Sequence, residues 1–211
     1  MNSELKILYE ATDNLIDQQF YREGQDVIIG RTPEVHLKIS NSGQIVHKFK
    51  DLFNENIGLF LEGNYLKFLL PFKKIKGLDE DIIFEINEQL KDKFELLKDD
   101  IHESEIVVLY TFVLSALISR IRDLHFNNAI EEIKRRVKEK SSKISGKKIQ
   151  ETLDDLFMRN NDNISILYNV SYLDALASSF NYKKVSHVCK IQQGKYMNRI
   201  VNLILSSITH T

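Results

Sequence analysis

The period of the hydrophobic positions changes along this chain. Leu5, Leu8, Thr12, Leu15, Ile16 and Phe20 recur at helical spacing and predict an amphipathic helix over 3–21, with a strand beginning at Lys6-Ile-Leu-Tyr as the alternative. Val27, Ile28 and Ile29, closed by Gly30, read as a short strand. Val35, Leu37 and Ile39 then alternate with His36, Lys38 and Ser40, the period of a half-buried strand. After a turn at 40–43, Ile45, Val46, Phe49, Leu52 and Phe53 return to helical spacing. Two apolar runs, 57–62 and 65–70, flank Gly63-Asn64, and that pattern predicts a β-hairpin over 57–70. Pro71 stops the second run, and 72–77 reads as a linker.

From Leu78 on, every periodic stretch is helical. Asp79 caps a helix with the apolar face Ile82, Ile83, Ile86, Leu90, Phe94 and Leu97. Over 106–121 the chain is apolar on nearly all faces, with Thr111 and Ser115 interrupting the run as far as 118. Such a helix must be covered on nearly all sides, so it is expected at the centre of the fold. Acidic Glu103 and Glu105 and basic Arg120 and Arg122 bound it, which leaves it shorter than the about 20 residues a membrane span needs, and no membrane partner is expected. Ala129, Ile130, Ile133 and Val137 form a narrower stripe beyond Asn127-Asn128, where the helix either continues or breaks. Further helices are expected over 149–158, over 164–180 as one piece or two, and over 183–208 with a kink near Gly194. The expected fold is α+β and predominantly α-helical. A small mixed α/β unit over 1–76 precedes a bundle of five to seven helices over 77–211, packed around the helix 106–121.

Composition narrows the class without identifying a function. Apolar residues make up 43% and charged residues 28%, the balance of a folded globular chain. A lone cysteine, Cys189, excludes an internal disulfide framework and fits a reducing, cytoplasmic setting. The chain is rich in Ile, Lys and Asn and has no Trp, which suggests an AT-rich microbial, plasmid or phage genome. With a net charge of −1, any attraction to nucleic acid must come from a local patch. One exists over 134–148, where Lys134, Arg135, Arg136, Lys138, Lys140, Lys143, Lys147 and Lys148 face the single acid Glu139. Eight cations in one segment can neutralise several phosphates of an RNA or DNA backbone. No aromatic is interleaved, so base stacking is not indicated. The opposite charge gathers over 79–105, where eleven carboxylates accompany three lysines, so the two stretches are candidate complementary faces within the fold or between subunits.

Catalytic signatures are sparse. Arg120-Ile-Arg-Asp-Leu-His125 has an Arg-x4-His spacing in a helical setting and resembles the motif of HEPN ribonucleases. That resemblance implies a homodimer through the helical domain, an Arg120 and a His125 from each subunit in a shared cleft, and metal-independent RNA cleavage of the kind found among toxins and phage-defence effectors. His125 would then act as acid or base for the 2′-hydroxyl and Arg120 would stabilise the charge on the phosphate. HEPN motifs usually carry Asn, Asp or His directly after the Arg, and this chain has Ile121 there. A second stretch, Ile29-Gly30-Arg31, looks like the strand and turn that open forkhead-associated domains, which implies phosphothreonine binding by Arg31. The acids and His102 over 99–105 and the pair His187/Cys189 are the metal and nucleophile candidates, and no metal or cofactor is expected from either. The reading these residues favour is a non-enzymatic interaction or regulatory protein that binds nucleic acid or an acidic partner through 134–148, with the HEPN-like ribonuclease as the alternative.

Overall fold

The computed structural model describes residues 3–32, 35–96 and 103–209. Its axis is α6 (Glu103–Lys140), a helix of 38 residues and therefore about 57 Å long. The apolar stretch 106–121 forms its first half, burying Leu109, Tyr110, Val113, Leu114, Leu117, Ile118 and Ile121. Asn127-Asn128 does not break it, because Phe126, Ala129, Ile130, Ile133 and Val137 continue the inward stripe across them. Burial is less complete than the composition suggests: Val108 is 64% exposed, and Ser115 and Ser119 are exposed along the same side. By length and composition Ser104–Lys140 reaches what a membrane crossing requires, more than the run 106–121 alone implied, and 39% of its most apolar window is buried. The helices α1 (Ser3–Asp17), α5 (Glu80–Leu96), α7 (Gly146–Met158), α8 (Asp162–Ser179) and α9 (Lys183–Thr209) all pack along it.

The strands β1 (Tyr21–Glu23), β2 (Asp26–Thr32) and β3 (Val35–Ile39) form an antiparallel sheet in that order. Val27 pairs with Ile39 and Ile29 with Leu37, so β2 and β3 turn Val27, Ile29 and Ile39 to the core side, where β2 lies on α8. Ser42 closes the sheet onto α2 (Gly43–Asn54): its hydroxyl donates to the Ile39 carbonyl at 2.6 Å and accepts from the Val27 amide at 3.0 Å. Lys50 on α2, only 6% exposed, is held by Asp13 at 2.9 Å and Asp17 at 2.8 Å on α1. Buried side chains of the sheet, α2 and the later helices belong to one continuous hydrophobic cluster.

The hairpin expected over 57–70 is two helices instead, α3 (Ile57–Leu61) and α4 (Tyr65–Leu69), followed by a 3-10 turn at Leu70–Lys74. Short apolar runs do not distinguish a strand from a buried helix by period. Here Gly63, with a φ of +73°, ends α3 with a left-handed cap. Its amide donates to Phe60 O at 3.0 Å and the next amide, Asn64, reaches back to Leu59 O at 2.8 Å. Both helices then turn Phe60 and Phe68 onto Tyr110 of α6, at centroid separations of 5.1 and 6.0 Å. The expected strand count falls with the hairpin, while β1, three residues long, is a strand that periodicity did not reveal.

In the helical part α5 begins as predicted, with Asp79 Oδ1 accepting from the Ile82 amide at 3.0 Å. α8 is one helix; Ser171 is buried inside it, and Asp174 accepts from Ser186 of α9 at 2.6 Å. α9 runs through Gly194 as one helix, since a helical glycine weakens a helix by about 1 kcal/mol without ending it. The helices α5 to α9 match the bundle expected after residue 76.

Candidate functional site

The basic segment 134–148 occupies the end of α6, the α6–α7 turn and the start of α7. Its charges divide into two groups. Lys134 pairs with Glu131 at 2.7 Å, Arg136 with Glu132 at 2.7 Å, and Lys147 with Glu151 at 3.9 Å. Arg135 binds Glu132 at 2.7 Å and also Glu139. The two guanidinium groups hold the Glu132 carboxyl down at about 2, Arg135 being the larger influence. Arg136 donates further to Asn198 of α9 at 2.9 Å. By contrast Lys138, Lys140, Lys143 and Lys148 are exposed and have no carboxylate partner among the described residues. Lys138 and Lys140 sit in the last turn of α6, where the helix dipole favours cations. The Lys138 ammonium lies over Gly146, 3.7 Å from where a β-carbon would stand there, which brings it to the start of α7. Ser145 caps that helix, accepting from the Lys148 amide.

Arg120 and His125 each contact α5 or the segment leading into it. Five positions apart on α6, they are about 140° apart around it. Arg120 pairs with Glu85 of α5, and His125 Nε2 lies 2.8 Å from the Lys76 carbonyl in the segment leading into α5. Gly77, with a φ of +101°, lets the chain pass under that ring: a β-carbon there would stand 3.3 Å from His125 Nε2 and 2.7 Å from Leu124. Both side chains therefore clamp α5 and its lead-in to α6.

The arginine between them does something different. Arg122 stacks over the Tyr168 ring of α8, 4.3 Å from its centroid, and lies 5.6 Å from that of Tyr172. Its Nη2 donates a long bond, 3.4 Å, to Asn169 Oδ1, while its Nε is buried with no hydrogen-bond partner. No carboxylate pairs with it among the described residues. Arg122 lines a cavity of about 330 Å³ together with Phe126, Phe157, Ser165, Tyr168 and the asparagines at 160, 161 and 169. Phe126 meets Phe157 and Tyr168 edge-on at 5.4 and 5.0 Å.

A local rule of sequence builds the rim of that cavity. Asn160 ends α7 in the left-handed conformation, φ +50°, its amide donating to Phe157 O at 2.9 Å while the Asn161 amide reaches Leu156 O at 3.1 Å. Asn161 then caps α8, its Oδ1 accepting from the Asn163 amide at 3.0 Å. Two consecutive asparagines thus turn α7 into α8 without a linker and leave their side chains at the mouth.

The remaining candidates place as follows. The Arg31 side chain and residues 99–102 lie outside the described residues, and a three-stranded sheet stands where a forkhead-associated domain would have a sandwich. Cys189 is buried, and burial pushes its thiol up to about 12, whereas His187 is exposed on another side of α9. No group of three or more metal-ligating side chains occurs among the described residues. No protein-family model, curated protein or solved structure compared with the chain matches it.

Proposed function

We propose that the protein is a non-catalytic binder of polyanions, and that it engages a nucleic-acid backbone with the α6–α7 corner. The observation that carries this reading is the division of the basic segment. Lys138, Lys140, Lys143 and Lys148 are exposed and have no carboxylate partner among the described residues, while Lys134, Arg135, Arg136 and Lys147 are already paired with glutamates. Unpaired lysines on a helix end and the adjoining turn release counterions when a phosphate chain settles on them. The corner supports backbone contact rather than base reading, since no aromatic lies within the segment. Placement in a reducing cytoplasm, where the lone Cys189 stays a thiol, belongs to the same proposal.

Fluorescence anisotropy with a labelled RNA duplex tests it. Four engaged lysines give a slope of log affinity against log salt of about −3 to −4. Changing Lys138, Lys140, Lys143 and Lys148 together to Glu should abolish binding at physiological salt, and changing Lys134 and Lys147 to Gln should leave it largely intact. Equal losses from both variants, or a salt slope near zero, would overturn the reading.

A further inference from the structure

The cavity beside Arg122 has a chemistry of its own, set apart from the lysine corner by the length of α7. Thirteen residues of α7 span about 20 Å. We infer that this cavity is a binding site for a small ligand made of one aromatic base and one anionic group, a nucleoside monophosphate.

The anionic group follows from the balance of donors. A guanidinium only donates, and Arg122 has a buried Nε with no partner, a single long bond to Asn169 and no ion pair among the described residues. Its stacking on Tyr168 fixes the plane of the fork, so an incoming oxyanion meets a preorganised charge. The Ser165 hydroxyl, the Asn161 Nδ2 and the Asn160 Nδ2, none with a hydrogen-bond partner among the described residues, add donors around the same space. No carboxylate lines the cavity to compete.

The aromatic base follows from the walls. Phe126 is nearly buried at 7% exposure, while Phe157 keeps 37% of its surface open. The face of Tyr168 is already taken by Arg122, so Phe157 is the ring left to stack on a planar guest. Asn169 and the Asn161 Oδ1 are already bonded within the chain, but the Asn160 side chain offers a donor and an acceptor together and Asn161 Nδ2 a further donor, which suits the edge of a base. The volume of about 330 Å³ stands at the small end of ligand pockets, enough for one nucleotide and too little for two.

Calorimetric titration of the full chain with AMP, adenosine, inorganic phosphate and benzoate tests the inference. The expected result is saturable AMP binding below about 1 mM, with each of the other three at least about tenfold weaker. Arg122→Gln should weaken AMP about tenfold or more, and Phe157→Ala, at a half-exposed ring whose loss the fold tolerates, should weaken it several-fold. Arg120→Gln and the four-lysine variant should leave AMP binding unchanged, so this site and the polyanion corner fail or stand separately. Absence of saturable AMP binding to about 10 mM would overturn the inference. So would AMP affinity equal to that of phosphate or benzoate, or affinity that survives both Arg122→Gln and Phe157→Ala.

Discussion

Lys50 and Arg122 are both cations drawn away from water, and the chain treats them in opposite ways. Lys50, 6% exposed, receives two carboxylates from α1, Asp13 and Asp17, and Asp17 is itself steadied by Arg22 at 2.9 Å. Arg122 receives two aromatic faces and one amide oxygen, and no carboxylate among the described residues. A buried charge needs compensation, and burying it without an ion pair costs several kcal/mol unless a partner arrives. The first arrangement ties α1 to α2 and is complete within the chain. The second is incomplete among the described residues, and it lines a cavity. The contrast separates a cation that holds the fold from one that awaits an anion. The same distinction runs along α6 itself, where Arg120 and His125 are closed on α5 while Arg122, two positions from Arg120 and about 200° around the helix, is open toward α8.

Removing the carboxylates from Lys50 is the larger perturbation. Asp13→Asn with Asp17→Asn strands the ammonium, and urea unfolding should show a loss at the low end of about 3–5 kcal/mol, because both acids are partly in water. A loss below about 1 kcal/mol would show that Lys50 does not need them. His125→Ala comes next. It removes the bond to Lys76 O at the α5 clamp and should cost about 1 kcal/mol in the same assay, with AMP affinity untouched. A drop in AMP affinity instead would join the two faces of α6 that the comparison keeps apart.

The helical frame was legible because long periodic stretches are unambiguous, and Asp79 announced α5 by its capping chemistry alone. The region 57–70 was not, because six-residue apolar runs suit either a strand or a helix, and the feature between them, a left-handed Gly63, serves a helix cap and a hairpin turn alike. The charge run over 134–148 looked uniformly basic because the acids that neutralise half of it, Glu131, Glu132 and Glu151, stand just outside the segment, within one helical turn of their partners. Arg122 was hidden behind the Arg-x4-His pattern of its neighbours. One signal did point to it: Leu114, Ile118, Arg122, Phe126 and Ile130 make an i, i+4 row, so a guanidinium occupies a position in an otherwise inward apolar stripe. Its partners Tyr168 and Asn169 lie on α8, 46 and 47 residues later, and no local pattern connects them.

The most direct test of the contrast is the urea unfolding free energy of Arg122→Met, measured without added ligand. The substitution gives up stacking on Tyr168 and the weak bond to Asn169, and it also removes an uncompensated charge from a partly apolar site. These effects oppose each other, so the predicted stability lies within about 1 kcal/mol of the unaltered protein. A loss of about 3 kcal/mol or more, the size expected when Lys50 is stranded, would make Arg122 a structural cation and contradict the account.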